Sequence, residues 1–290
     1  GVGGASSMNG LSDILVETNS LYIGNDPSST TSNAQYNVAV GTTALDAVTT
    51  GIQNTAVGYN ALTANTTGIN NTASGNYALA ANTTGRKNVA VGFFALKNNT
   101  TAQGNTAVGN NAMNGNITGF ANTAMGSASL YLNTIGSYNT ASGSSSLFFN
   151  DTGSYNTASG YSALYYNITG DYNTASGYRS LRANTTGSNN TTLGYQAGDV
   201  LTTGSNNLIL GSDSDPSSKT ASNQIVLGYS TTGKGDNTVT LGNEGVTAVY
   251  AAEDAGAVIY AAGLNLDGVT ISANATELSY VDGVTSSIQD

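Results

Sequence analysis

Residues 54–104 read N-T-A-V-G-Y-N-A-L-T-A-N-T-T-G-I-N (54–70), N-T-A-S-G-N-Y-A-L-A-A-N-T-T-G-R-K (71–87) and N-V-A-V-G-F-F-A-L-K-N-N-T-T-A-Q-G (88–104). The blocks superimpose at a step of 17 residues, and the step continues in both directions. Glycine stands at 24, 41, 58, 75, 92, 109, 126, 143, 160, 177, 194, 211 and 228 without a slip. Asparagine keeps the same step four residues earlier, from Asn37 to Asn207, and Leu or Met follows the glycine by four, from Leu45 to Leu181. A second glycine closes most blocks from Gly51 to Gly204, with Ala102 in its place once. Disorder needs no fixed phase, so twelve unbroken intervals exclude a merely low-complexity Gly/Asn/Ser/Thr tract.

Seventeen residues are too few for a helix–turn–helix unit, which needs ~33 or more. They suit one coil of a β-solenoid, with two short strands and two corners. The expected fold is all-β, a solenoid of 17-residue coils over 21–230. N-T-A-V-G alternates, so its side chains divide between two faces. The face with Val38 and Val40, Thr55 and Val57, or Val89 and Val91 is expected inside. Leu joins it there from a second strand near A-L. The opposite face, with Asn54, Ala56 and Gly58 and their equivalents, is small and uniform. Such a face suits close approach of an identical backbone, and closed rotational symmetry is the default for homo-oligomers. Three chains are therefore expected to pack these faces around one axis, the alternative being a single chain with the strip in solvent. Stacking puts like residues over like at ~4.8 Å, so Asn side chains can hydrogen-bond along the stack. Tripeptides such as Asn65-Thr66-Thr67 match a glycosylation acceptor pattern, but their number follows from the period.

Composition excludes much chemistry. The 290 residues contain no His, Cys or Trp. Triads with His, Cys nucleophiles, Cys/His zinc sites, covalent haem attachment and disulfides are ruled out. No cofactor or metal is expected. No apolar run approaches the ~18–20 residues of a membrane span, so no membrane insertion is expected. Charged residues are 8%, against about 25% in ordinary soluble domains. The net charge of −10 is uneven: residues 37–206 sum to +1, and residues 207–290 to −8. No basic stripe exists for a polyanion, so nucleic acid is not an expected partner.

The N-T-A-V-G and N-T-A-S-G units resemble the head repeats of trimeric autotransporter adhesins, whose strands carry a similar S-V-A-I-G motif. That resemblance implies a trimeric, left-handed parallel β-roll, although the family's repeat is shorter than 17 residues. The longer unit N-T-A-V-G-Y-x-A-L-x-x-N-T-T-G is similar to repeats in bacteriophage tail fibres, particularly of marine and cyanobacterial phages. Residues 273–289, A-N-A-T-E-L-S-Y-V-D-G-V-T-S-S-I-Q, resemble the A-T-E-L-N-Y-L-D-G-V-T-S-N-I-Q module of phage tail-fibre and structural proteins, with Ser279 and Val281 as departures. Leu278, Val281, Thr285 and Ile288 also share 3-4-3 spacing, a short seam for helix association. The expected organisation is an N-terminal connector (1–20), the solenoid (21–230), a short β-rich segment (231–268) and a short helical trimerisation module (269–290).

Candidate sites are few. Aromatic residues concentrate late and form three columns at 17-residue steps: Tyr138, Tyr155, Tyr172; Tyr161, Tyr178, Tyr195; and Tyr131, Phe148, Tyr165. Stacking of like residues explains them structurally. Read as a binding face, Tyr165, Tyr166, Tyr172 and Tyr178 are the candidate glycan-facing residues. Arg179 and Arg182 read as solvated charges. Asp213 and Asp215 in S-D-S-D-P offer at most one incidental Ca²⁺ site. Scattered acids give no paired carboxylates in one cleft, so no catalytic residue is assigned. The expected function is a non-enzymatic, homotrimeric structural fibre on a virion surface, a phage tail fibre, joined to other virion or fibre proteins and contacting a host surface glycan. The alternative is an autotransporter-type adhesin on a bacterial cell surface, which needs a membrane β-barrel anchor. An ice-binding solenoid is disfavoured because Thr66-Thr67 and its equivalents sit at a glycine corner.

Overall fold

The N-T-A-V-G segments form strands, and the glycine after each turns the chain. β1 (Ile14–Glu17) and β2 (Ser20–Ile23) have four residues each. One three-residue strand then follows per coil: β3 (Val38–Val40), β4 (Thr55–Val57), β5 (Thr72–Ser74), β6 (Val89–Val91), β7 (Thr106–Val108), β8 (Thr123–Met125), β9 (Thr140–Ser142), β10 (Thr157–Ser159), β11 (Thr174–Ser176), β12 (Thr191–Leu193), β13 (Leu208–Leu210), β14 (Ile225–Leu227) and β15 (Val239–Leu241). The structure, a computed structural model, describes residues 14–17, 19–24, 33–249, 264–266 and 269–271.

These fifteen strands make one sheet in chain order. β1 pairs antiparallel with β2, and every later pair is parallel. The register reproduces the sequence period, as in Thr55↔Thr72, Ala56↔Ala73 and Val57↔Ser74. The fold is a β-solenoid, as the period predicts. Gly58 shows why the glycine column cannot drift. Its φ is +130°, and a Cβ there would lie 2.7 Å from the Gly75 carbonyl carbon and oxygen. The corner needs both the conformational freedom and the missing side chain.

The assignment of the two strand faces is reversed. Ala39, Ala56, Ala73 and Ala90 at the strand centres are fully buried, as are the Asn residues before them. Val57, Val91, Val108 and Met125 point outward and are exposed. The core of a coil is therefore Leu, two Ala and two Asn (Leu62, Ala56, Ala61, Asn54 and Asn65, for example), not Leu with Val or Thr. The Asn-Ala-Gly strip lies inside each coil, so it is not a face on which chains could meet. The A-L segment is no strand either. It is a turn in which Leu62 has φ +52°, and its N–H donates to the Ala78 carbonyl of the next coil at 3.0 Å. The inward direction of Leu is as expected, and Leu45 to Leu181 form one continuous buried column with Met113.

Two amide ladders satisfy the buried polarity. In the first, the Asn54 N–H donates to Asn37 Oδ1 at 2.9 Å, and the pattern repeats until the Gln224 N–H donates to Asn207 Oδ1 at 3.0 Å. Each Nδ2 also donates across its own coil, as from Asn54 to the Gly68 carbonyl at 2.9 Å. In the second, Asn82 Nδ2 donates to Asn65 Oδ1 at 2.8 Å, and so on to Asn184 and Asn167 at 2.7 Å. Val48 and Leu201 occupy the flanking positions of this ladder. Buried amides cost free energy unless they are paired, and here each coil pairs those of its neighbour. The sequon asparagines Asn65, Asn82 and Asn184 are fully buried, which closes them to glycosylation in the folded chain.

Near the C-terminal end the core changes over. Gly198 takes the place of the column leucine, and a Cβ there would lie 3.1 Å from Ile209 Cδ1. In compensation the strand centre grows from Ala175 to Thr192, Ile209 and Val226. The large apolar residue thereby moves across the coil, from the turn to the strand centre.

The sheet also exceeds the expected boundaries. Val239 pairs with Ile225, 14 residues earlier, so D-N-T-V-T-L-G (236–242) lies on a further, shorter coil, and the solenoid does not end at 230. β1 lies within the expected connector 1–20. The chain divides into two compact units, Gly1–Gly245 and Val246–Asp290. In the second, β16 (Leu264–Leu266) pairs antiparallel with β17 (Val269–Ile271). Residues 269–271 are thus strand, and the rest of the expected helical module lies outside the described residues.

Candidate functional site

Like residues one coil apart stack, so the 17-residue period turns scattered aromatics into columns. Tyr138, Tyr155 and Tyr172 have successive centroid distances of 4.9 Å, with planes 12° and 5° apart. Tyr161, Tyr178 and Tyr195 stack at 5.4 and 5.2 Å. Tyr131, Phe148 and Tyr165 stack at 5.0 and 5.2 Å. Phe149 over Tyr166, at 5.4 Å and 10°, makes a fourth column with the same 17-residue step, one not singled out from the sequence. Each pair contributes about 0.5–1.5 kcal/mol beyond burial.

The four candidate glycan-facing tyrosines do not converge. Tyr172 precedes β11 and Tyr178 follows it, while Tyr165 and Tyr166 lie past the glycine corner of the preceding coil. Their ring faces are largely occupied. Tyr178 is sandwiched between Tyr161 and Tyr195. Arg182 places its guanidinium carbon 5.5 Å from the Tyr165 centroid and 5.2 Å from that of Tyr166. Arg179 sits 5.0 Å from the Tyr178 ring. The two arginines are ring-stacked, not simply solvated, and such contacts contribute about 0.5–1 kcal/mol at exposed sites. Among the four, Tyr178 alone continues its column, while Tyr165, Tyr166 and Tyr172 end theirs, with Arg182, Ala183 and Asn189 on the next coil.

Asp215 occupies the position of the column leucine, four residues after Gly211. Burial, reinforced by Asp199 and Asp213, pushes its carboxyl up from 3.8 to about 6, against opposing backbone hydrogen bonds from Val200 and Asp199. Its Oδ1 is buried with no hydrogen-bond partner among the described residues. Among the described residues no group of three His, Cys, Asp or Glu could hold a metal ion. A polar hollow of about 680 Å³ lies at the end of the solenoid, lined by residues including Ser230, Lys234, Asn243 and Glu244. No helix among the described residues is long and apolar enough to cross a membrane.

Fold and surface together define a β-solenoid repeat protein with laddered amides inside and stacked aromatics outside. No protein-family model matches the chain, and no curated protein matches it in sequence.

Proposed function

We propose that the chain is a structural, non-catalytic fibre segment on a virus particle, of the phage tail-fibre kind, acting with other fibre proteins in attachment to a host. The observation that carries this reading is the unbroken in-register sheet from β2 to β15. At ~4.8 Å per coil it makes a stiff element roughly 60 Å long. Its reach comes from repetition, and its composition lacks the usual nucleophile–base pairs. The resemblance of residues 273–289 to a tail-fibre module supports the same reading.

The fibre is a homotrimer in this reading. With the small face internal, chains would meet through the outward sheet face, which carries Val57, Val91, Val108, Met125 and Leu193 exposed and no charged residue in β3 to β15. Light scattering of the purified chain should give close to three times 29.1 kDa, and a mass of one chain overturns the trimer. Antibodies against the solenoid should decorate the tails of phage particles from the source culture. Labelling of uninfected cells instead would favour the second reading, a bacterial surface adhesin head. One observation favours that alternative: the last coil shortens to 14 residues, toward the shorter repeat of the adhesin family.

A further inference from the structure

The column of residues that follow the corner glycines is Tyr161, Tyr178, Tyr195, Ser212 and Tyr229. The first three rings are stacked nearly parallel, the last pair within 7°. The backbone register continues past them: the Asp213 N–H donates to the Tyr195 carbonyl at 2.8 Å, and the Ser230 N–H to the Ser212 carbonyl at 2.9 Å. Ser212 therefore fills one rung of the column with a small side chain. Tyr195 and Tyr229 stand on the rungs to either side, roughly 10 Å apart at twice the coil spacing. Tyr195 is 50% and Tyr229 67% exposed.

The same gap occurs earlier and is closed there. Asn76 separates Tyr59 from Phe93, but the neighbouring Tyr77 packs its ring 5.3 Å from both Tyr59 and Phe94. At the Ser212 rung the corresponding neighbour is Asp213, which has no ring to insert. Among the described residues no ring contact bridges this rung, and its side chains, Ser212 and Asp213, offer oxygen. Ser212 Oγ donates to Asp213 Oδ2 at 3.3 Å, and Asp213 is exposed.

We propose that the Ser212 rung between Tyr195 and Tyr229 is a binding slot for an uncharged hexopyranose of a glycan. A pyranose ring has an apolar C–H face on each side, which suits two tyrosine rings one rung away. Its equatorial hydroxyls donate to the Asp213 carboxylate and exchange hydrogen bonds with Ser212. The exposed Asp213 carboxylate beside Ser212 sets the slot against anionic sugars. The slot lies outside the four tyrosines that the sequence singles out, and it does not depend on the chain being viral.

Saturation-transfer NMR on the full chain, with the methyl glycosides of glucose, galactose and mannose as probes, tests the slot. At least one should receive saturation at its ring protons. Ser212→Phe, which fills the rung with a ring, should abolish the transfer. Tyr195→Ala and Tyr229→Ala should each weaken binding roughly tenfold, the upper range for one lost ring contact. Tyr36→Ala, an exposed tyrosine before β3 and far along the solenoid from the slot, should leave it unchanged. Circular dichroism confirms that each variant is folded. No transfer to any of the three glycosides, or transfer undiminished by Ser212→Phe, overturns the proposal. Neither result bears on the oligomer mass that tests the fibre reading.

Discussion

At the scale of single residues, the solenoid depends on groups that would be costly in isolation. Asn133 is fully buried, with Nδ2 donating to Asn116 Oδ1 at 2.9 Å and Oδ1 accepting from Asn150 Nδ2 at 2.7 Å. Asn133→Asp keeps the shape but sets a carboxylate oxygen against Asn116 Oδ1 in a dry interior. Denaturant unfolding at pH 7 should show a loss of about 3 kcal/mol or more. Asn133→Leu should cost less, about 1–2 kcal/mol, because Leu201 already fills this column one coil beyond Asn184. Asp215 gives the pH dependence. Its folded-state pKa is raised, so the folded chain holds the proton more tightly. Its contribution is fully present below 3.8 and is lost as pH rises through about 6. Thermal melts should fall in midpoint from pH 4 to pH 7, and Asp215→Asn should flatten that fall and raise the midpoint at pH 7. The corner glycines were legible in the sequence because their spacing has no other simple cause. The positive φ of Leu62 was not, since nothing in A-L distinguishes that turn from a strand.

At the scale of the element, the coil is the unit, and its strand has only three residues. Alternation told which residues share a face but not which face is inside, because a period of two allows both choices. Ranking by hydrophobicity placed Val57 in and Asn54 out. The structure does the reverse because Ala56 and the paired amides fit the narrow coil, and the amides lose nothing when each coil supplies partners to the next. The aromatic columns could be read directly from the step, whereas the empty Ser212 rung required seeing that Tyr77 fills the similar gap earlier. The 14-residue coil ending at β15 was obscured by its broken period. Because each coil touches only its neighbours, removing residues 105–121, one whole period, should leave a folded solenoid with a small loss of stability. Removing 105–112 should shift all later strands out of register and abolish cooperative unfolding. Calorimetry distinguishes the two, and equal damage from both deletions would contradict the coil as the unit.

At the scale of the whole solenoid, stability and reach have one origin, the addition of near-identical layers. One sheet, two amide ladders, one Leu column and four aromatic stacks all run in the same direction, so each coil fixes the lateral position of the next. An open outward face without charge leaves room for like chains, and the interrupted tyrosine column leaves room for a guest. The most direct measurement is a crystallographic determination of the purified chain that locates Gly58, Gly75 and Gly92. The account requires their Cα atoms on one line, about 4.8 Å apart, with Asn54, Asn71 and Asn88 bonded in series inside. Glycines off that line, or those asparagines turned to solvent, would contradict it.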